Sequence, residues 1–255
     1  MKICHFIHRE KEFWGALENG RVFALPDALA AEEAEAALSL NESLAPEEVT
    51  FLPPVTPSKI VCVGRNYAAH AAELGNEVPR EPLLFLKAPS ALITDGENIV
   101  IPEQSAQVEH EGELAVVIKK TCRRLTEEDD PFAYVFGYTC LNDVTARDLQ
   151  RRDVQFTRAK SFDTFCPIGA SVETELDVRD LRVTTRVNGV VKQDGRTSQM
   201  VFPIDFLIRY ISQQMTLRPG DIIATGTPSG VSGLQAGDVC EVEIEGIGVL
   251  KNPVI

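Results

Sequence analysis

The stretch VEHEGELAVVI, residues 108–118, joins a cluster of acidic residues to an apolar run rich in Val and Ile. Such a run predicts a buried β-strand. Because side chains alternate along a strand, Glu111 and Glu113 point to one face. Neighbouring carboxylates repel each other unless a cation or water separates them, and hard divalent ions prefer oxygen ligands. Glu109 would share that face, so alternation leaves the ligand set open, and this stretch alone favours a solvated acidic face.

A second acidic candidate follows in YTCLNDVTARD, residues 138–148. An apolar strand ends there and a helical turn begins, which is a common place for a functional side chain. Asp143 lies at that junction. The alternative is that Asn142 or Asp143 caps the turn, and the segment taken alone favours the cap.

Upstream, GRNYAAHAAELG, residues 64–75, predicts a short helix from Asn66, its N-cap, to Leu74, with Gly75 as its C-terminal stop. His70 and Glu73 are three residues apart on this helix, so the carboxylate can reach the imidazole. That pairing orients the ring and suits a general acid or base near neutral pH. A surface helix with a polar face is the alternative, and both readings stay open.

Two further segments have candidate ligand-binding groups. Lys160 lies among aromatic residues and could bind a carboxylate or carbonyl group, although a surface lysine is the simpler reading. The glycine-rich TGTPSG, residues 225–230, could present backbone N–H groups and a hydroxyl to an anion, or form a tight turn. It lacks the GK[ST] ending of a P-loop, which excludes that type of nucleotide site. The histidines show no HxH or HExxH spacing, which argues against zinc.

The remaining patterns predict an α+β fold with a β-rich core, because irregularly mixed strands with few helices do not form repeated βαβ units. Asn-Gly pairs at residues 19–20 and 188–189 predict two hairpins. Helices are predicted over Ala30–Leu40 and over residues 203–213. A proline-rich segment near Thr56 predicts a boundary between a small N-terminal domain, residues 1–55, and a large domain, residues 56–255.

Composition excludes several classes of protein. Lys and Arg are outnumbered 25 to 38 by Asp and Glu, for a net charge of −13, which argues against non-specific nucleic-acid binding. No signal peptide and no apolar run of the roughly 20 residues that cross a membrane is present, so we expect a cytoplasmic protein without membrane partners. The six cysteines form no CxxC pair and are expected to be free core thiols.

Taken together, the motifs resemble the fumarylacetoacetate hydrolase superfamily from about Ser58 to the C-terminus. The resemblance is to bacterial members with a small N-terminal domain, similar to acylpyruvases and 2-hydroxyhepta-2,4-diene-1,7-dioate isomerases. The motifs that carry it, in chain order, are GRNYAAHAAELG, PLLFLKAPSALI, VEHEGELAVVI, FGYTCLNDVTARDLQ, AKSFDTFCPIG, RVNGVVKQDGRT and GDIIATGTPSGVSG.

The resemblance implies a mixed β-sheet roll, usually dimeric, that binds Mg²⁺ or Mn²⁺. It places the acidic metal triad on Glu111, Glu113 and Asp143, and a catalytic His–Glu dyad, on a lid helix, on His70 and Glu73. The implied substrate-contacting residues are Arg147, Lys160 and Thr227, with Lys160 also assigned a catalytic role.

The implied activity is metal-dependent C–C bond hydrolysis of an acylpyruvate-like 2,4-dioxo acid, through an enolate that the metal stabilises. The His–Glu pair favours a reaction that needs an activated water or a proton shuttle, and on this basis hydrolysis is the expected reaction. The alternatives are isomerisation or decarboxylation of 2-hydroxy-diene-dioates in aromatic catabolism, and decarboxylation or tautomerisation of oxaloacetate. A non-catalytic metal- or anion-binding module is the alternative from a different class.

Overall fold

The chain folds mainly into β-strands, in agreement with the predicted α+β class. The structure is a computed structural model that describes residues 1–25 and 43–255, so the helix predicted over Ala30–Leu40 lies outside the described residues. The strands, in order, are β1 Lys2–His8, β2 Lys11–Glu18, β3 Arg21–Leu25, β4 Ser43–Leu44, β5 Thr50–Leu52, β6 Ile60–Gly64, β7 Leu83–Lys87, β8 Leu92–Ile93, β9 Val108–Glu109, β10 Gly112–Ile118, β11 Val135–Asn142, β12 Thr145–Ala146, β13 Cys166–Pro167, β14 Ser171–Glu173, β15 Arg182–Val187, β16 Val190–Arg196, β17 Ile222–Ala224, β18 Val239–Ile244 and β19 Gly248–Pro253.

The helices of the described residues are short. The α-helices are α1 Ala68–Glu73, α2 Arg147–Arg152, α3 Thr157–Lys160 and α4 Ile204–Gln214, and the 3₁₀ turns are Pro46–Glu48, Pro89–Ala91, Pro131–Tyr134 and Thr197–Gln199. Helix α4 was predicted from its apolar stripe, and four apolar residues of that stripe are buried: Ile204, Leu207, Ile208 and Ile211. None of the helices in the part of the chain that the structure describes is long and apolar enough to cross a membrane.

A mixed sheet of eleven strands organises the molecule, in the order β4-β3-β2-β1-β14-β11-β10-β17-β6-β7, with β5 paired to β1. Strands β17 and β6 run parallel, and the other neighbours along this sheet are antiparallel. A second, antiparallel sheet has the order β16-β15-β18-β19. Since β1 pairs with β14, the N-terminal strands continue the large sheet, and the proposed boundary near residue 56 stays a prediction.

The central strands are buried on both faces. Strand β10 is buried along its whole length, and alternate residues of it join two separate apolar clusters. Ala115 and Val117 face one cluster, whereas Leu114 and Val116 face the other, which includes helix α4 and residues of the second sheet. Burial on both faces explains why this strand has a continuous apolar run instead of an alternating one.

The local predictions have mixed outcomes. Both Asn-Gly hairpins are present, with positive φ at Asn19 and Asn188 and at the glycines that follow them. All six cysteines are free and buried, as expected. The continuous strand over residues 108–118 is wrong, because it is interrupted at His110 and Glu111 between β9 and β10.

The predicted N-cap is also wrong. Helix α1 begins at Ala68 after Tyr67, and the Asn66 side chain makes no cap. Its amide donates instead to the carbonyl oxygens of Phe202 and Thr225, at 3.1 and 2.7 Å, so Asn66 fixes the chain before the helix.

Candidate active site

Sheet topology brings the ends of several strands to one edge. Strand β10 runs antiparallel to β11 and β17, so the start of β10 lies beside the ends of both neighbours. Strand β6 is parallel to β17 and ends at the same edge. Glu113 at the start of β10, Asp143 after β11 and Thr227 after β17 are therefore neighbours, although they are far apart in the chain.

An acidic cluster forms at this edge. One carboxylate oxygen from each of Glu111, Glu113 and Asp143 lies within 4.8 Å of the other two, and all three residues are buried. The backbone fixes them in place, because the Asp143 N–H donates to the Glu111 carbonyl oxygen at 2.8 Å and the Gly226 N–H donates to the Glu113 carboxylate at 2.7 Å.

Two buried lysines contact the cluster. The Lys160 ammonium lies 2.7 Å from a Glu111 carboxylate oxygen and 2.7 Å from Asp143 Oδ2. The Lys87 ammonium donates to Asp143 Oδ1 at 2.6 Å and to the Val144 carbonyl at 3.1 Å. Both oxygens of Asp143 therefore accept a charged hydrogen bond, which is stronger than a neutral one and fixes the rotation of the carboxylate.

The Arg147 guanidinium is held by the same acidic group. Its Nε donates to Glu109 at 2.8 Å, its Nη2 to Glu111 at 2.5 Å and its Nη1 to Gln150 at 2.5 Å. Strand alternation left open whether Glu109 is a metal ligand. In the structure, Glu109 pairs with Arg147 instead. In this arrangement Arg147 positions Glu111, and the substrate contact predicted for Arg147 stays a prediction.

The carboxylates differ in proton affinity. Burial raises the pKa of Glu113 well above its usual value, and the nearby charges of Asp143 and Glu111 raise it further. Burial also raises the pKa of Glu111, but Lys160 and Arg147 outweigh burial and bring that pKa well below its usual value. Of these two carboxylates, Glu113 is therefore the one whose negative charge the protein compensates less.

The donor set fits a hard divalent cation. It consists of buried oxygen donors only, and a bound cation would offset the repulsion from Asp143 and Glu111 that adds to burial in raising the Glu113 pKa. Glu111, Glu113 and Asp143 would hold such an ion, in agreement with the assignment of Mg²⁺ or Mn²⁺ that the resemblance implies.

The predicted His–Glu pair is formed on helix α1. The buried His70 places Nδ1 3.2 Å from a carboxylate oxygen of Glu73. Both oxygens of Glu73 also lie within reach of the Gly230 N–H, at 2.9 and 3.1 Å. The carboxylate thus joins the helix to the glycine-rich segment and orients the imidazole.

The Thr227 hydroxyl belongs to a buried polar network. It donates to the Gly112 carbonyl at 2.8 Å and accepts from the Gln193 amide at 2.6 Å. The Gln193 amide oxygen lies 3.2 Å from Nδ1 of His110, whose pKa burial lowers to about 4. His110 is thus neutral near pH 7 and supports the site through Gln193.

Seven of the eight predicted site residues line one cavity of about 290 Å³: His70, Glu111, Glu113, Asp143, Arg147, Lys160 and Thr227. The eighth, Glu73, reaches the site through its contact with His70. Apolar residues cover part of the cavity wall, namely Leu74, Leu83, Phe85 and Phe156. This combination of an apolar wall with converging charged groups is typical of a small-molecule site.

Sequence reasoning missed Lys87 and Gln193. Lys87 ends the strand-forming LLFLK run, and a lysine at the end of an apolar strand is usually exposed, so its burial gave no local signal. Gln193 follows a hairpin tip in a polar strand, and only its position opposite Gly112 reveals its role.

The chain is similar to a known protein family over most of its length. Residues 59–255 match the family described as fumarylacetoacetate hydrolase C-terminal. Among curated relatives, an oxaloacetate tautomerase of Bos taurus, named FAHD2A, mitochondrial, is 45% identical over 245 residues, covering 88% of this chain and 78% of its own.

Solved structures include the 5-carboxymethyl-2-hydroxymuconate delta-isomerase of Mycobacterium smegmatis, with a TM-score of 0.88 and 38% identity over 100% of this chain and 98% of that one. Fumarylpyruvate hydrolase of Pseudomonas aeruginosa, in complex with Mn²⁺ and pyruvate, has a TM-score of 0.74 and 31% identity over 81% of this chain and 91% of that one. The match over most of the chain, with the acidic cluster in place, shows that the protein belongs to the fumarylacetoacetate hydrolase family.

Proposed function

We propose that this protein binds a 2-oxo acid at a Mg²⁺ or Mn²⁺ ion and catalyses keto–enol tautomerisation of an oxaloacetate-like substrate. The observation that carries the proposal is that an imidazole oriented by a carboxylate lines the same cavity as three convergent carboxylates. The likeness to a curated oxaloacetate tautomerase, 45% identical, supports this reaction over the others known in the family.

The cation would be held by Glu111, Glu113 and Asp143. When bound, a divalent ion supplies Lewis-acid chemistry that polarises the oxygens of a 2-oxo acid. Lys160 lies beside two of the three carboxylates, where its ammonium can also neutralise negative charge that develops on a substrate oxygen.

His70 is the group that moves the proton. Because its Nδ1 lies against Glu73, Nε2 is the nitrogen available for exchange with the substrate. In the keto-to-enol direction, His70 removes a proton from the carbon next to the carbonyl and returns it to the carbonyl oxygen, so that no atom is gained or lost. The Glu73 charge stabilises the protonated imidazole between the two transfers.

Hydrolysis of a C–C bond in an acylpyruvate-like 2,4-dioxo acid is the second candidate. The same His70–Glu73 pair could remove a proton from a water molecule, and the Pseudomonas hydrolase supports this reaction at 31% identity. Isomerisation of a hydroxymuconate-type diacid is supported by the likeness to the mycobacterial isomerase. A binding module without catalysis is disfavoured, because the candidate base and the acidic cluster are both in place.

The test is the ultraviolet absorbance of oxaloacetate enol, recorded with protein and with or without Mg²⁺, while pyruvate release is followed in parallel. We expect a metal-dependent change in the enol signal without pyruvate, and loss of this change in His70→Ala but not in His8→Ala, whose ring lies against the distant Glu48 carbonyl. Pyruvate release from oxaloacetate would indicate a decarboxylase. In a parallel assay with acetylpyruvate as substrate, loss of acetylpyruvate would indicate a hydrolase. No metal-dependent change with any of these substrates would reject the enzymatic proposal.

A further inference from the structure

Arg65 occupies an unusual place at the cavity. It follows strand β6 directly, lines the cavity, and has a φ of 58°, in the left-handed region that non-glycine residues seldom adopt. The next residue, Asn66, is fully buried and hydrogen-bonded to Thr225 and Phe202, so the surrounding structure holds the backbone in this conformation. Strain of this kind persists where the fold overdetermines it, and it is concentrated at binding and active sites.

The charge of Arg65 has no partner within the described chain. Three other cations of the site are each bonded to one or more carboxylates: Lys87, Arg147 and Lys160. In residues 1–25 and 43–255, no hydrogen bond or ion pair reaches the half-buried Arg65 guanidinium. Since a guanidinium presents paired donors that match a carboxylate, Arg65 is the cation of the cavity best able to bind an anionic ligand.

Arg151 also lines the cavity and has no ion pair among the described residues, but its side chain is exposed and its Nη2 donates to the Gln107 side chain at 2.5 Å. Because water screens an exposed charge more than a half-buried one, Arg65 is favoured over Arg151 as the cation that binds a ligand.

The charges of the site point to a ligand with two negative groups. Four buried carboxylates face three buried cations, which leaves one net negative charge: Glu109, Glu111, Glu113 and Asp143 against Lys87, Arg147 and Lys160. A divalent ion changes this to one net positive charge, which a ligand with one carboxylate neutralises. A second ligand carboxylate then adds a negative charge, and Arg65 compensates it.

We propose that Arg65 binds a second carboxylate of the substrate and makes this site selective for 2-oxo dicarboxylic acids over 2-oxo monocarboxylic acids. The proposal rests on the proposed function in one respect, namely that the 2-oxo acid end of the ligand is held at the acidic cluster. Arg65 then binds the far end of the ligand, in the same cavity that His70 lines.

Two ligands of nearly equal shape separate charge recognition from size. Dimethyloxaloacetate carries a carboxylate where trimethylpyruvate carries a methyl group, and neither has a proton next to the carbonyl that tautomerisation could remove. Their affinities for the Mn²⁺-loaded protein are measured by calorimetry for the unmodified chain, Arg65→Met, Arg65→Lys and Arg152→Met. Arg152, 64% exposed and outside the cavity, is the matched control.

We expect the unmodified protein to prefer the diacid. Arg65→Met should weaken diacid binding by about 10- to 100-fold, corresponding to one good charged contact, and leave monoacid binding and Mn²⁺ affinity unchanged within about threefold. Arg65→Lys should lie between, and Arg152→Met should match the unmodified chain.

Three outcomes would overturn the proposal: no preference for the diacid in the unmodified protein, unaltered diacid binding in Arg65→Met, or equal weakening of both ligands. The last result would mean that Arg65 shapes the cavity without recognising charge. Because neither ligand can enolise, a preference for the diacid that depends on Arg65 would stand even if the protein failed to tautomerise oxaloacetate, and the two proposals therefore fail separately.

Discussion

Replacing Lys160 by Met tests how the acidic cluster is stabilised. The Lys160 ammonium bridges Glu111 and Asp143 at 2.7 Å each, and its side chain is only 2% exposed. Removing one partner of a buried ion pair costs about 3–5 kcal/mol, because a desolvated charge is left behind. Glu111 keeps Arg147 and Asp143 keeps Lys87, so we expect the lower end, about 3 kcal/mol. That is a large share of the ~5–15 kcal/mol of a typical domain.

The free energy of unfolding that Lys160→Met loses should depend on whether a metal ion is bound. Without the lysine, the three carboxylates repel each other more strongly and attract a cation more strongly. Saturating Mn²⁺ stabilises both proteins, so the difference between them should shrink by about 1.4 kcal/mol for each tenfold by which Lys160→Met binds Mn²⁺ more tightly. The assay is urea unfolding of the unmodified protein and of Lys160→Met, each in EDTA and in excess Mn²⁺.

Lys59→Met is the matched control. Lys59 pairs with the buried Asp221 at the start of strands β6 and β17, at the other end of these strands from the acidic cluster, so its loss should destabilise the protein to the same degree in EDTA and in Mn²⁺. If Lys160→Met lost the same free energy of unfolding under both conditions, Lys160 would not compete with a cation. If it lost none in EDTA, the estimate from buried charge would be refuted.

Three further measurements address single residues. Glu113→Gln removes one ligand charge and should weaken Mn²⁺ binding at least about tenfold in calorimetry; unaltered affinity would contradict the metal triad. His70→Ala should reduce turnover by about 10²- to 10⁴-fold with Mn²⁺ affinity nearly unchanged, whereas parallel losses would argue against a separate acid–base role. Burial raises the pKa of Asp221, but hydrogen bonds from Lys59 and Ser58 outweigh burial and lower it. Its stabilisation is therefore present above the unfolded pKa of about 3.9 and lost as the pH falls through the lower folded value. Asp221→Asn should cost about 2 kcal/mol in urea unfolding at pH 7 and less below pH 4; a constant cost from pH 7 to pH 3 would rule this out.

Local sequence rules were sufficient where a few adjacent residues determine the structure. The two Asn-Gly turns need positive φ at both residues, and they form as predicted. The apolar stripe of Ile204–Gln214 likewise specifies its helix, because one face packs against the core. Strand alternation was less successful: it assumed a continuous strand, whereas the break at His110 and Glu111 decides where each carboxylate points.

Long-range contacts explain what the sequence could not show. Nothing near Lys87 indicates that its ammonium meets Asp143, 56 positions away. Arg147 was assigned to the substrate by resemblance, yet its guanidinium lies against Glu109 and Glu111. In each case the partner is determined by which strand ends meet at the edge of the large sheet, and that information lies in the topology.

The same contacts indicate at which carboxylate of the cluster a cation would be stabilised most. Glu109 and Glu111 share Arg147, and Asp143 is held by two lysines, whereas Glu113 has no Lys or Arg ion pair within the described chain and accepts instead from the Gly226 N–H. Burial is the main cause of its raised pKa, and the like charges of Asp143 and Glu111 raise that pKa further. A divalent ion would therefore gain most beside Glu113, which among the described residues has no direct ion pair with a Lys or Arg, and an ion held there is also within reach of Glu111 and Asp143.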